Sequence, residues 1–315
     1  MKRLIVLLLC GVIGVSVLRW ERNVEAAADL GTVIGSPQLA VLVDGRKVKF
    51  QGGDPVMENN RVQVPLRGIG EALGAKVDFS EKTVTYLKGE KSIVLTLGSK
   101  VAVVDGQNVT MDTAAKAVKG RTYVPLRFVS ENLGESVSWD QVGNWVWIGE
   151  KVVPTLEEVG LKTVSIDPYL KWFKDKEYLL KRPREDITYE KVLIFKEADL
   201  PTKFLREIYS VELFTEPTSK VVFLKVRAKT TSTVGNLFYL TNKNDIRFRN
   251  HVVGRTINNG DGTKYDFYPI WSLSDKTLDG IIDQKVLELS DIEYIGFDGG
   301  NQDYVPLMVN PWRIN

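Results

Sequence analysis

The string Arg61-Val62-Gln63-Val64-Pro65-Leu66-Arg67 returns sixty residues later as Arg121-Thr122-Tyr123-Val124-Pro125-Leu126-Arg127. The echo runs on. Glu71, Leu73-Gly74, Val77 and Phe79 match Glu131, Leu133-Gly134, Val137 and Trp139 at the same offset, and Asp44-Gly45 matches Asp105-Gly106 within one residue. A period of this length, seen twice, is the mark of a duplicated supersecondary unit. The shared residues are turn formers, caps and apolar stripes, not reactive groups, so the duplication constrains architecture before chemistry.

Each copy reads as short strands around one short helix. In the first, residues 39–43 form a strand, Asp44-Gly45 is a tight hairpin signal, and residues 47–50 alternate as the return strand. Val62 and Val64 alternate again, and Pro65 opens a helix, where its missing N–H would have had no intrahelical partner. Leu66, Ile69 and Leu73 then fall at i, i+3 and i+7 as one apolar stripe, and Gly74 stands where a left-handed cap belongs. Strand periodicity resumes at Val77, Phe79, Val84 and Tyr86 and at residues 93–95. The second copy repeats this through residues 101–104, Asp105-Gly106, Tyr123-Val124, Leu126, Val129, Leu133, Gly134, Val137, Trp139 and residues 145–148. The expectation is an α+β unit over residues 38–151, with copies at about 38–100 and 101–151.

Gly68 and Gly70 fall inside the first helix. At about 1 kcal/mol each against alanine, they predict the weaker of the two helices. Arg67 and Glu71, like Arg127 and Glu131, stand four apart, a spacing worth about 0.3–0.5 kcal/mol as a surface pair. The arginines read either as anion or sugar ligands or as tethers of the helix to neighbouring carbonyl oxygens. Their presence in both copies favours the tether.

The segments Asn60 to Arg67 with Glu71 to Val77, and Gly120 to Val129 with Glu131 to Gly134 and Val137 to Asp140, resemble the copper amine oxidase N-terminal, or stalk, domain family. The resemblance covers about residues 38–151. It implies a small spacer or attachment domain without catalysis. The first copy departs from the family pattern in its two helix glycines and in Phe79, where tryptophan is usual.

The first 28 residues read as a secretory leader: Lys2-Arg3, an apolar run over residues 4–18, and Ala26-Ala27-Ala28 as a small-residue cleavage site. Fifteen residues of helix span about 22 Å, short of the roughly 30 Å hydrocarbon core. The charged stretch Arg19-Trp20-Glu21-Arg22 keeps an uncleaved anchor open as the alternative. Cleavage would remove Cys10, the only cysteine, and with Lys2, Arg3, Arg19, Arg22, Glu21 and Glu25 would take the formal charge from +2 to zero. A neutral chain gives no electrostatic reason to expect nucleic acid as a partner. No other stretch is long and apolar enough to span a bilayer, and the chain is expected outside the cell, secreted or held at the cell wall.

Residues 152–186 read as a linker, entered through Lys151-Val152-Val153-Pro154-Thr155, with a basic patch at Lys181-Arg182-Pro183-Arg184. From residue 187 to 315 strand periodicity returns, strongest at 191–195, 208–214, 220–229, 236–240, 264–270 and 291–297, with turns at residues 242–245 and 258–262. Many short strands with little helix signal predict an all-β sandwich, similar to jelly-roll carbohydrate-binding modules.

One histidine, His251, excludes zinc and copper sites built on several histidines, the copper oxidase's own three-histidine centre included. Arg247 and Arg249 beside it disfavour the imidazolium that a Ser-His-Asp mechanism must form. No phosphate-cradling glycine loop is present. No catalytic residue, metal site or cofactor is therefore assigned. The loops at residues 258–262 and 298–303 carry oxygen ligands of the kind calcium uses, but without EF-hand spacing they read as Asx turns. Asp266, Asp291, Glu293 and Asp298 are the carboxylates a glycan hydrolase would draw on. Tyr265, Phe267, Trp271 and Tyr294 are the candidate ligand-binding aromatics, a platform for sugar rings, with Tyr265 and Phe267 on one strand face and Asp266 on the other. The leading expectation is a non-catalytic envelope protein whose sandwich binds a cell-wall or extracellular glycan, or another surface ligand. The alternatives are a carboxylate-dependent glycan hydrolase and a structural protein assembling with envelope proteins.

Overall fold

The computed structural model describes residues 38–51, 53–181, 187–204, 206–272, 286–298 and 302–313, so the leader segment lies outside the described residues. The fold is mostly β. The first copy contributes β1 (Ala40–Val43), β2 (Arg46–Lys47), β3 (Val56–Glu58), β4 (Arg61–Pro65), α1 (Leu66–Ala72), β5 (Lys76–Ser80), β6 (Thr83–Lys88) and β7 (Lys91–Thr96). The second contributes β8 (Val101–Val104), β9 (Gln107–Thr110), β10 (Lys116–Val118), β11 (Arg121–Pro125), α2 (Leu126–Asn132), β12 (Val137–Asp140) and β13 (Trp145–Ile148). Pro65 and Pro125 end their strands and stand just before the helices, one position earlier than the sequence suggested.

The copies interlock. β4 and β11 pair antiparallel, Val64 opposite Val124, at the centre of a sheet ordered β10-β11-β4-β3. The first strand among the described residues, β1, pairs parallel with the last of the duplication, β13, in the order β12-β13-β1-β2. On the other side β8 of the second copy joins the first copy's hairpins in the order β5-β6-β7-β8-β9. One core serves both: Leu66, Ile69 and Leu73 of the first stripe and Leu126, Val129 and Leu133 of the second are all buried in it. The local signals hold, for Asp44-Gly45 and Asp105-Gly106 turn with φ of 46°, 78°, 47° and 81°, and Gly74 and Gly134 cap their helices at φ 67° and 92°.

Two further sheets follow. One is ordered β14 (Thr163–Ser165), β15 (Lys191–Phe195), β24 (Tyr304–Val309), β23 (Ile292–Phe297), β19 (Leu237–Thr241) and β20 (Ile246–Arg249). The other is ordered β16 (Thr202–Lys203), β17 (Glu207–Thr215), β18 (Val222–Lys229), β22 (Thr263–Pro269) and β21 (Ile257–Asn258). Their facing residues, among them Leu193, Ile208, Leu224, Val226, Tyr239, Tyr268 and Ile295, form one buried core, as a two-sheet sandwich requires.

The expected linker is corrected by packing. Residues 163–165 are β14, an edge strand on β15, and the segment after it winds through 3-10 turns at Asp167–Trp172 and Glu177–Leu180. Ile166, Trp172, Phe173 and Leu180 bury themselves on the outer face of the six-stranded sheet against Val192, Phe238, Leu240 and Leu307. Trp172 also donates its indole N–H to the Thr241 carbonyl at 2.7 Å. A solvated tether would leave those large apolar groups in water, so the segment is a strap belonging to the sandwich. Of the basic patch, only Lys181 lies among the described residues.

Candidate functional site

The outer face of the five-stranded sheet carries Tyr265 and Phe267, pointing away from the sandwich core, while Tyr268 points into it. The alternation is as expected, but the face is closed. Phe267 and Tyr265 pack with Phe214 and Phe223 beneath Val142, Val252 and Ile257, and Tyr265 donates to the Val142 carbonyl at 3.4 Å. Val142 belongs to the duplicated domain, so this face is where the two domains meet.

Charge fixes that meeting. Arg227 of β18, 1% exposed, donates from both terminal guanidinium nitrogens to Asp140 of β12 at 2.9 and 3.1 Å and reaches Asp261 at 2.6 Å. Asp140 meanwhile accepts the backbone N–H groups of Val142 and Gly143 at 3.0 Å each. Beside the pair, Tyr209 lies against Trp145 and Trp147, and the Arg227 guanidinium sits 4.8 Å from the Tyr209 ring centre. Burial opposes the Arg227 charge, but its bonds to Asp140 and Asp261 outweigh it and raise its pKa. Burial likewise works to raise Asp261, yet hydrogen bonds from Thr263 and Arg227 hold it below the usual carboxylate value. The loop read as a calcium-like turn therefore spends its Asp261 oxygens on Thr263 and Arg227. Of the other such loop, residues 299–301 lie outside the described residues.

Tyr294 is on the opposite outer face, that of the six-stranded sheet. It meets the strap edge-on, with ring centres 5.6 Å from Tyr169 and 5.7 Å from Trp172. Trp271 is half-buried just beyond β22. The four expected aromatics thus do not converge: two are sealed under the first domain and one beneath the strap.

A different aromatic set does converge. Past the point where the strap leaves the sheet, a groove of about 280 Å³ opens between the strap and the outer face of β19, β20 and β24. Phe238 forms its floor with its ring laid across Gly296, whose missing Cβ is what lets the ring lie flat. Tyr178, Tyr189, Phe248 and Tyr304 make its walls, and Lys181, Asp298 and Gln302 supply polar groups. Tyr178 is 66% exposed, an open ring at the mouth. Burial and the charge of Asp303 push the Tyr304 phenol upward from its ordinary value. An apolar lining with a few polar groups is the usual make-up of a ligand site. Among the described residues lining it, Asp298 is the single carboxylate. Asp266 is buried on Val234 N–H and Thr256, Asp291 engages Asn242 and Glu288 N–H, and Glu293 pairs with Arg313. No group of three or more His, Cys, Asp or Glu side chains is placed to hold a metal among the described residues.

In the duplicated domain each Val-Pro strand end leads straight into a glycine-capped helix that begins Leu-Arg, and the two copies interlock through their sheets. Residues 42–148 match the copper amine oxidase N-terminal domain. In copper amine oxidases this domain is non-catalytic. No curated protein matches the chain. Among the described residues no helix is long and apolar enough to cross a membrane.

Proposed function

We propose that the chain is a non-catalytic binding protein of the cell exterior, in which the amine oxidase-type domain carries a jelly-roll-like sandwich and the sandwich takes a glycan strand in its aromatic groove. The observation that carries this reading is the convergence of Tyr178, Phe238, Phe248 and Tyr304 on one groove. Sugar rings present C–H faces to aromatic rings and hydroxyls to polar neighbours, which Lys181, Asp298 and Gln302 supply. Hydrolysis by the usual route needs a second carboxylate roughly 5–10 Å from the first, and Asp298 has none among the described residues that line the groove. The leader-like sequence at residues 1–28 supports an extracellular setting.

The test uses residues 29–315 on purified cell wall and on insoluble polysaccharides. Retention should fall at least tenfold in Tyr178→Ala and Phe248→Ala, with no sugar released into solution. Release of reducing ends that Asp298→Asn abolishes would establish a hydrolase instead. Retention that survives removal of all wall glycan would establish a protein partner.

A further inference from the structure

A second groove, of about 460 Å³, lies in the amine oxidase-type domain, between α2, β12, the β3–β4 hairpin and the turn after β9. Its floor is apolar, from Val62, Leu126, Val137 and Val146. Phe128, Trp139 and Met57 form its sides, and Trp139 and Met57 are 39% and 45% exposed. The rim is charged: Arg61 is bound to Asp112, and Arg127 stands 3.9 Å from Glu131. Arg127 was expected to tether its helix to carbonyl oxygens, and it stands instead at the edge of this opening.

We propose that this groove is a second binding site, for a neutral oligosaccharide, separate from the groove on the sandwich and independent of whether that one binds. Two features of the structure carry the assignment. First, the rim balances arginines against carboxylates. Every sugar hydroxyl both donates and accepts, so a polyol uses both kinds of group, with an aromatic side wall for its C–H face. Because Arg61 is paired with Asp112 and Arg127 stands beside Glu131, the rim offers no net charge to draw in an anionic or a cationic ligand.

Second, the two copies keep their frame but differ at this surface. Phe128 and Trp139 stand where the first copy has Gly68 and Phe79, and in that copy Phe50 lies over the bare Gly68. Arg67, Glu71 and Val77 keep the types of Arg127, Glu131 and Val137. In the first copy Phe50 fills the place over Gly68, whereas in the second Phe128 and Trp139 together line an open groove, the arrangement a ring-binding wall requires.

The experiment follows the Trp139 indole N–H by NMR in residues 29–315, assigned with Trp139→Phe, during titration with cellohexaose, chitohexaose and mannohexaose. At least one neutral hexasaccharide should shift it. Read in all variants from the methyl signal of Met57, which lines the same groove and survives the loss of the indole, Trp139→Ala and Arg127→Ala should each weaken that binding tenfold or more, Trp139→Phe should retain most of it, and Tyr178→Ala should leave it unchanged. Loss of the shift in Tyr178→Ala would overturn the separate site, since the sandwich groove would then be the one responding. The proposal also fails if none of the three sugars moves the indole, if hexagalacturonate or an unstructured aromatic peptide does so at lower concentration, or if both alanine variants bind as the parent does.

Discussion

Arg227 shows how one side chain can decide an interface. Its guanidinium leaves Asp140 paired inside the protein, and removing it in Arg227→Met strands a buried carboxylate. Breaking such a pair costs about 3–5 kcal/mol, much of it from the charge left behind. Asp140→Asn keeps an oxygen for Val142 and Gly143 N–H while removing that charge. The double variant should therefore lose less than the sum of the two single changes, as read by urea unfolding in a double-mutant cycle. Asp261 adds a pH dependence. Its carboxyl titrates lower in the folded state than in the unfolded chain, so its contribution is present at neutral pH and disappears as pH falls below about 4. Asp261→Asn should flatten that acid limb of the stability profile, measured by thermal unfolding between pH 3 and 7.

Among elements, α1 sets a packing requirement against a propensity cost. Gly68 and Gly70 looked like a cost of about 1 kcal/mol each in helix propensity. In the fold they are contact points: a Cβ at Gly70 would strike Val77 and come 3.1 Å from Tyr86, and one at Gly68 would come 2.6 Å from the Phe50 ring. Gly70→Ala should therefore destabilise, by about 1–3 kcal/mol of overpacking that outweighs the propensity gain. Gly68→Ala should cost less, because half-buried Phe50 can swing outward. Thermal unfolding of the two variants side by side checks the order. The turns, the caps and the apolar stripes were legible because each is decided within a few residues. β24 was not, because Pro306 inside it argues against a strand flanked on both sides. Nor was β20, because two arginines in four residues give no apolar alternation, yet Arg247 and Arg249 are buried, Arg249 giving its N–H groups to the carbonyls of Phe248, Pro269 and Ile270. The aromatic groove had no local signal at all, since Tyr178, Phe238, Phe248 and Tyr304 come from separate segments that only the sheet order brings together.

At the scale of the whole molecule, the two domains hide each other's apolar faces, and the second copy of the duplication is the one equipped to do so. On the outer face of β13 it carries Trp145 and Trp147, where β6 of the first copy has Thr85 and the exposed Leu87. Those tryptophans meet Tyr209, while Val142 covers Tyr265 and Phe267. The strap performs the same service on the far sheet. A fragment of residues 187–315, cut where the sequence placed the sandwich boundary, would lose β14, Trp172, Phe173 and Leu180 and bare Val192, Phe238, Leu240 and Leu307. It would also uncover the Tyr209 and Phe267 face and leave Arg227 without Asp140. Exposed apolar areas of that extent promote aggregation. The fragment should therefore be insoluble or poorly dispersed in a proton–nitrogen NMR spectrum. Residues 152–315, which keep the strap but not the first domain, should recover solubility in part, and residues 29–315 fully. A well-folded 187–315 fragment would show that the strap and the domain interface add little to the sandwich.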